Sequence, residues 1–495
     1  MQRSEIPRTA PTEHLEGFER ALMVIDSEIG EKRRVGGWDR TGAILAVAIL
    51  AYTLTFSWIA YTKFRSFASQ VPQDMAAHSQ AIWNTSHGRF LQQTVLYIGG
   101  LNHFYPLLAL FAPICRLANP IPVLLFLYTL ILACGAVPVY LLAKDQLGSR
   151  HWGLLLGLFY LGYPGLHYLN LWDLKPIVLS VPLFLFSFYF WQAKDLRGFL
   201  IAALLTTLVT EQVAILIAMF APLSWIKKRD RSWILPPLLI GVAILLISMY
   251  LYVPLASGAP YKHIRDHSFF SHLHLLSWDS YRCVFSFLGL AAVFLFASWE
   301  AFLPAIPYLF FGIFATRIYA HYYFPLTAVL FIALIYGLKR IKGEKALKGL
   351  AASSGRAMLV VVLILLDFFV LDPFLIKPRY DYPMSPSDQD AWALIQRIPR
   401  GASVSADPRL LPALSLREKL HEFSRKEYHG EKIDYLNVDY ILIDPRGPHR
   451  DNRFHHEDYP GNARRLMEET LRDRSGFEVL SAQGDWVLFH RKGRP

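Results

Sequence analysis

Long runs of apolar residues recur along this chain of 495 residues and restrict its fold more than any other feature. A helix needs about 20 mostly apolar residues to cross the hydrocarbon core of a bilayer. The stretches 41–61, 121–143 and 357–376 all meet that requirement. Of the whole chain, 54% is hydrophobic, more than an ordinary soluble core requires. The sequence therefore predicts a mainly α-helical, polytopic transmembrane protein.

The net charge of +11 comes from Lys and Arg residues in short clusters between the apolar runs. They do not follow one groove or helix face, so nucleic acid is not predicted as a partner. Because cytoplasmic loops are enriched in Lys and Arg, we place the N-terminal segment 1–40 in the cytoplasm. The same rule assigns four further clusters to the cytoplasmic side, at 143–150, 193–198, 225–231 and 338–349.

One apolar segment, 199–225, has basic clusters at both ends but is hardly longer than a single crossing. A single pass would bury Glu211 in mid-membrane and export Lys227 and Lys228. Two short half-crossings would keep both ends in the cytoplasm, provided that protein or water surrounds the turn between them. The sequence therefore predicts a membrane hairpin here.

The transmembrane domain is predicted to span 41–376, with further crossings at 234–255 and 281–297 and an outer loop at 63–120 that follows the first crossing. Two stretches of this loop, 74–85 and 103–120, have the apolar spacing of short helices. The second stretch is too short for a comfortable crossing, and the charge rule leaves no place for an extra pass. We therefore predict two juxtamembrane helices on the outer surface.

The C-terminal segment 377–495 has a different composition and is predicted to form a small extracytoplasmic α/β domain. Its first helix is expected to begin at a capping box formed by Ser387 and Asp390. Short strands are predicted in ASVSAD and DYILID, and a second helix in NARRLMEETLRDR. Two closing strands are predicted in GFEVLSAQGDWVLFHR.

An acid, Asp74, opens the first outer helix in the stretch QDMAAHSQAIWNTSHGRF. Trp83 is a residue favoured at the boundary between lipid and water, so this helix is expected to hold Asp74 near the headgroups. A carboxylate at that depth can act as a general base, or it can simply be solvated. His78 and His103 can assist Asp74 as ligands or orienting groups, or make ordinary polar contacts.

Two further ionisable groups are expected at the outer ends of crossings. Lys175 is interpreted either as a cation for a lipid phosphate, held in place by Asp173, or as a snorkelling lysine paired with that neighbour. Glu211, at the turn of the predicted hairpin, needs a partner because an unpaired charge at membrane depth is costly. Either Lys175 or Arg317 is the expected partner.

The stretch TRIYAHYYFP joins two predicted crossings on the outside and brings Arg317, His321 and Tyr322 together. Arginine offers several fixed donors suited to phosphate, which favours recognition of a phosphate group. Aromatic and cationic residues also anchor helices at the interface, and that second interpretation stays open.

Four stretches, DMAAHSQAIWNTSHGRF, NHFYPLLALFAP, NLWDLKPIVLSVPL and VTEQVAI, resemble an uncharacterised family of bacterial membrane proteins related to the GT-C glycosyltransferases. The resemblance covers residues 61–338 and implies a GT-C-like fold in the bacterial plasma membrane. In GT-C enzymes the acid of the first outer loop is the catalytic base or helps to hold a metal, and Asp74 is the matching position. The sequence departs from the family's pattern at His78 and Ser79, where Phe-Asp is expected, and at Lys175, where His is expected.

The resemblance implies transfer of a sugar from a polyprenyl-phosphate donor to an extracytoplasmic lipid, glycan or protein. It leaves open a divalent metal, Mg²⁺ or Mn²⁺. The alternative is a non-catalytic lipid-binding scaffold or a transporter with the same fold, in which Glu211 would carry protons or ions. The predicted substrate-binding residues are His78, His103, Asp173, Lys175, Glu211, Arg317, His321 and Tyr322.

Overall fold

The computed structural model describes most of the helical region and most of the C-terminal domain. The predicted crossings at 281–297 and 357–376 lie almost entirely outside the described residues, as do Arg317, His321 and Tyr322. The described residues are 40–96, 103–117, 119–257, 294, 298–314, 324–343, 362–363, 378–423, 427–428, 431–432, 434–446 and 459–493.

The described part of the chain is mainly helical and contains three helical stretches long and apolar enough to cross a membrane. These are Arg40–Arg65, Pro120–Leu147 and Arg231–Ala256. Each includes one of the apolar runs from which the sequence predicts crossings at 41–61, 121–143 and 234–255. The second stretch is divided at Gly135, where a Cβ atom would lie only 2.6 Å from the ring of Tyr160. The glycine thus allows two helices to pack closely.

The helices of this domain are numbered in chain order over the described residues, and several are shorter than a crossing. They are α1 Arg40–Arg65, α2 Pro72–Ser86, a 3-10 helix Pro106–Arg116, α3 Pro120–Ala133, α4 Ala136–Leu147, α5 Arg150–Gly162, α6 Pro164–Asn170, a 3-10 turn Pro176–Leu179, α7 Ser180–Gln192, α8 Leu196–Thr207, α9 Glu211–Ala218, α10 Phe220–Ile226, α11 Arg231–Ile247, a π turn Ser248–Tyr252, α12 Val253–Ser257, α13 Trp299–Phe314 and α14 Leu326–Gly343.

The hairpin predicted at 199–225 is present. Helix α8 ends at Thr207, the chain turns, and α9 and α10 return from Glu211 to Ile226. Phe199 at the start of α8 lies against Phe220 of α10, with ring centroids 5.0 Å apart. The two arms therefore run back to the same end of the domain and leave their polar turn at the opposite end.

Both helices predicted in the outer loop form, but the first is not exposed. Most residues of α2 are buried, and the short helix α16 (Leu411–Leu414) of the C-terminal domain packs against it. The expectation of an exposed loop is wrong because the C-terminal domain covers α2, whereas its place at the outer membrane surface stays a prediction. The second is a 3-10 helix with Pro113 inside it, a residue that removes the amide donor needed for a regular α-helix.

The C-terminal domain contains a mixed five-stranded sheet. Its strands lie side by side in the order β2 (Leu420–Glu422), β1 (Val404–Ala406), β5 (Tyr440–Ile443), β7 (Trp486–Arg491) and β6 (Phe477–Gln483). Strand β1 pairs in parallel with β2 and β5, whereas β7 pairs antiparallel with β5 and β6. The strands predicted in ASVSAD, DYILID and the closing hairpin correspond to β1, β5, β6 and β7. The elements are α15 Pro386–Ile395, β1 Val404–Ala406, a 3-10 turn Pro408–Leu410, α16 Leu411–Leu414, β2 Leu420–Glu422, β3 Glu427–Tyr428, β4 Glu431–Lys432, β5 Tyr440–Ile443, α17 Tyr459–Leu471, β6 Phe477–Gln483 and β7 Trp486–Arg491.

The capping box of α15 lies two residues earlier than predicted. Asp388 N–H donates to Ser385 Oγ at 3.2 Å, and Ser385 N–H donates to Asp388 Oδ2 at 2.7 Å. The prediction of Ser387 and Asp390 is wrong because Pro386 occupies the first helical position, which proline favours, and so makes Ser385 the cap.

The two faces of the sheet pack against different parts of the protein. Leu442 and Leu488 belong to the large apolar core that also contains the membrane helices and α2. Ile441 and Phe489, which alternate with them along the strands, belong to a separate core shared with α17. One face of the sheet thus contributes residues of β1, β2, β5 and β7 to the core that the C-terminal domain shares with the helical domain.

Candidate functional site

Asp74 lies in the first turn of α2, where the helix dipole favours a negative charge. Its Oδ2 accepts a hydrogen bond from Lys175 Nζ, and the lysine side chain is buried. Lys175 immediately precedes the 3-10 turn that leads into α7. The predicted pairing of Lys175 with its neighbour Asp173 is therefore wrong, and the lysine instead connects α2 to the helical domain.

Asp173 is held by groups from the end of α1 and the loop after it. Lys63 Nζ lies 2.7 Å from Asp173 Oδ1, and Ser69 Oγ and the Gln70 amide donate to Oδ2 at 2.7 and 2.9 Å. Asp173 has a φ of 74°, a left-handed conformation that is uncommon for a residue other than glycine. Three donors thus fix a strained residue two positions before Lys175.

Glu211, the first residue of α9, pairs with His103 at 2.6 Å between Oε1 and Nδ1. Its Oε2 accepts from the Phe104 amide at 2.9 Å and from Thr210 Oγ1 at 3.1 Å. Lys175, one of the two expected partners, pairs with Asp74 instead, and Arg317 lies outside the described residues. The need for a partner is met by the imidazole of His103.

His78 lies one helical turn after Asp74, and Tyr105 separates it from His103. The Tyr105 ring is edge-on to His78 at 5.1 Å and tilted against His103 at 5.5 Å. Burial lowers the pKa of His78 from 6.5 to about 3, although the nearby carboxylate of Asp74 partly opposes this shift. His78 is therefore neutral at physiological pH. Its Nδ1 is buried and has no hydrogen-bond partner among the described residues.

The site therefore contains three separately compensated carboxylates, with a neutral histidine and a tyrosine between Asp74 and the pair formed by His103 and Glu211. The sequence interpretation did not include Lys63 or Tyr105. Lys63 falls in the last turn of an apolar helix, where a lysine is usually assigned to the interface, and only its burial distinguishes it. Tyr105 lies two residues after His103, so its proximity to that histidine was the available signal. No group of three His, Cys, Asp or Glu side chains among the described residues is arranged to hold a metal ion.

The C-terminal domain also holds α2, through hydrogen bonds to its glutamine side chains. Gln80 Nε2 donates to the carbonyls of Arg417 and Glu418, both at 3.0 Å. Gln73, the neighbour of Asp74, donates to Glu422 at 3.4 Å. Trp392 donates to the Arg65 carbonyl at 2.8 Å, just before α2 begins. The helix that carries Asp74 and His78 is therefore held between the two domains.

The family described as "Predicted membrane protein (DUF2079)" matches residues 73–483. The match begins one residue before Asp74, includes every described residue of the site except Lys63, Ser69 and Gln70, and continues to the end of β6. It therefore includes most of the C-terminal domain, which lies beyond the stretches quoted above. No curated protein matches the chain. Because the matched segment covers most of its length, the chain belongs to this family of predicted membrane proteins.

Proposed function

We propose that the protein is a GT-C-type membrane glycosyltransferase that moves a sugar from a polyprenyl-phosphate donor to an extracytoplasmic lipid, glycan or protein. The observation that carries this proposal is the pairing of the partly buried Asp74 with the buried Lys175, beside the neutral His78. A base and a cation at the end of a helical membrane domain are the two groups that such a transfer requires. The proposal places the protein in a bacterial plasma membrane, with its N-terminus cytoplasmic and its C-terminal domain extracytoplasmic.

In the proposed reaction, an acceptor hydroxyl attacks the anomeric carbon of the donor sugar. A new bond forms between that carbon and the acceptor oxygen, while the bond between the carbon and the phosphate oxygen breaks. The polyprenyl phosphate departs with the bonding electrons, and Asp74 accepts the hydroxyl proton. Lys175 Nζ would stabilise the charge that develops on the departing phosphate. An incoming phosphate that attracts Lys175 would also release the Asp74 carboxylate to act as the base.

The remaining predicted residues are assigned supporting roles. The pair formed by His103 and Glu211 would fix the wall of the site opposite Asp74, because Glu211 is held by three donors. Asp173 would act as a positioning residue for Lys175 rather than as a direct substrate ligand. Arg317, His321 and Tyr322 remain predicted phosphate-recognition residues.

A second candidate function, proton-coupled transport, is favoured by one observation. Glu211 and His103 form a buried carboxylate–imidazole pair, an arrangement that can carry a proton between its members. Proton-dependent solute flux in reconstituted vesicles, abolished in a Glu211→Gln variant, would support transport. If the same variant keeps normal envelope glycans, Glu211 is needed for transport and not for sugar transfer.

Mass spectrometry of envelope lipids and glycans would test the proposed transfer in cells. The strains to compare are wild type, a deletion, Asp74→Asn, and Glu300→Gln as a matched loss of a carboxylate at the other end of the domain. We expect a species that lacks one sugar to accumulate in the deletion and in Asp74→Asn at matched expression, but not in Glu300→Gln. A changed profile in the deletion alone would contradict a catalytic Asp74.

A further inference from the structure

Two adjoining cavities lie at the end of the helical domain away from Asp74. Their volumes are about 280 and 370 Å³, and Gln192 and Lys227 line both. Gln192 ends α7, while Lys175 precedes the 3-10 turn before that helix, so roughly 25 Å of helix separate the two regions. Nothing in the proposed transfer uses these cavities.

The lining of the two cavities is strongly cationic. Six cationic side chains line them against two acidic ones, Asp230 and Glu300, so four positive charges are in excess. Basic residues at this end would also serve as topology signals, but topology alone requires neither cavities nor fixed side chains. The cations are Lys194, Lys227, Lys228, Arg229, Lys339 and Arg340.

A buried acid fixes part of this lining. Glu300, whose side chain is 8% exposed, lies 3.3 Å from Lys227 Nζ and 3.6 Å from Arg340. Lys227 also lies over the ring of Trp299 at 4.6 Å. The two cations are thus held partly ordered before any ligand arrives, which reduces the entropy lost on binding.

Two of the lysines occupy backbone positions that glycine usually fills. Lys194 and Lys228 have φ values of 59° and 53°, and each lies two positions after the last residue of a helix, directly after its C-cap residue. The next amide in each case donates to the carbonyl five residues earlier, Asp195 to Phe190 at 3.0 Å and Arg229 to Ser224 at 3.0 Å. These are Schellman caps, in which the left-handed residue is most often glycine. Both lysines line the 370 Å³ cavity, which indicates that their positive charge contributes to attracting an anion into it.

Arg229 is held between the rings of Trp191 and Trp233, 4.1 and 4.6 Å from their centroids. Beyond Trp233 the surface of α11 is apolar, and Leu239 and Leu246 are 63% and 51% exposed. A helix surface of this kind faces lipid in a membrane protein. The cationic cavities therefore adjoin a surface suited to acyl chains.

We propose that these cavities bind the phosphate headgroup of an anionic membrane lipid, whose acyl chains lie along α11. The excess of positive charge selects a phosphate group, and Arg229 offers fixed donors to its oxygens. The adjoining apolar surface favours a lipid over free inorganic phosphate. This site is independent of Asp74 and of the proposed sugar transfer.

The test uses the full-length protein in detergent and native mass spectrometry with phosphatidylglycerol, phosphatidylcholine or inorganic phosphate as probes. Wild type is expected to retain phosphatidylglycerol much better than the other two probes. The double variant Lys194→Gly/Lys228→Gly removes two charges where glycine suits the backbone, and we expect its affinity to fall roughly 10- to 30-fold. Arg197→Gln, which removes an exposed cation outside both cavities, is expected to have no effect.

Unchanged phosphatidylglycerol affinity in the double variant would overturn the proposal. Equal retention of inorganic phosphate would overturn the assignment to a lipid. If the double variant fails to fold, Lys339→Gln provides the second measurement, because Lys339 lines the 280 Å³ cavity from α14. That variant is also expected to weaken retention of phosphatidylglycerol, and unchanged affinity would count against the site in the same way.

Discussion

The two ends of the helical domain use charge in opposite ways. At the end that carries Asp74, acids and cations form matched pairs whose lysines are buried, Asp74 with Lys175 and Asp173 with Lys63. At the other end, six cations line two cavities against only two acids, and five of the six are exposed. The first arrangement suits chemistry that needs fixed groups, whereas the second suits attraction of an anion from outside.

The difference also predicts how each end responds to the loss of a charge. A buried partner left alone keeps an uncompensated charge away from water, which is costly. An exposed cation, by contrast, can be removed with little effect on the free energy of unfolding. Substitutions of the same chemical kind at the two ends therefore provide matched tests.

The largest effect on stability is expected from Lys63→Met. The substitution leaves Asp173 buried without its cation and also removes a 2.5 Å hydrogen bond to the Leu171 carbonyl. We expect the free energy of unfolding to fall by about 3–5 kcal/mol, measured by chemical denaturation in detergent. Adding Asp173→Asn should restore part of the loss, since the uncompensated charge is then gone. Equal stability of Lys63→Met and wild type would contradict a buried ion pair.

A smaller effect is expected from His78 as the pH falls. Its pKa is about 3 in the folded protein and 6.5 as the reference value, so the unfolded chain binds the proton first. The stabilisation due to neutral His78 is complete above pH 6.5 and is lost as the pH falls toward 3. The slope is at most about 1.4 kcal/mol per pH unit.

His78→Phe removes the titrating group and retains an aromatic ring beside Tyr105. Unfolding measured between pH 7 and pH 4 should therefore be less sensitive to acid in this variant than in wild type. An identical dependence on pH in the two proteins would show that His78 does not titrate as its burial requires.

Lys227→Met is the matched substitution at the cationic end, and we expect it to cost less than about 1 kcal/mol. Lys227 is 39% exposed, and Glu300 would still have Arg340 within 3.6 Å. The measurement is the same denaturation used for Lys63→Met. A loss as large as that of Lys63→Met would remove the distinction between the two ends.

The smallest change in stability is expected from Lys194→Gly and Lys228→Gly. Glycine relieves the left-handed strain at each position but increases the conformational freedom of the unfolded chain. The two effects should nearly cancel, so the melting temperature of each variant should remain close to that of wild type. A large decrease would show that the lysine side chains support the fold itself.

Much of the helical architecture follows from local sequence patterns. The hairpin at 199–225 could be predicted because basic clusters on both sides of a short apolar run favour it over a single pass, which would bury Glu211 and export lysines. The burial of α2 could not be predicted in this way. Its cover comes from residues such as Arg417, more than 300 positions later, through contacts that no local pattern encodes.

For the site too, the sequence predicts which residues matter but not which residues pair with each other. The sequence identifies Asp74, Lys175 and Glu211 as candidate site residues because ionisable groups near membrane helices are energetically costly and usually have a function. Their partners could not be identified in this way, since Asp74 and Lys175 lie 101 positions apart and His103 and Glu211 lie 108 positions apart. The neighbour in sequence, Asp173, was the wrong partner because three donors from the end of α1 and the loop after it already hold it.

The most direct test of the catalytic role of Asp74 is a transfer assay with the purified protein. Proteoliposomes of wild type, Asp74→Asn and Glu300→Gln would receive envelope lipids extracted from cells that lack the protein. Mass spectrometry would then follow the loss of sugar-linked polyprenyl phosphate and the release of polyprenyl phosphate. We predict turnover by wild type and Glu300→Gln, and a rate about 10²- to 10⁴-fold lower in Asp74→Asn. Equal turnover by Asp74→Asn and wild type would contradict the proposed chemistry.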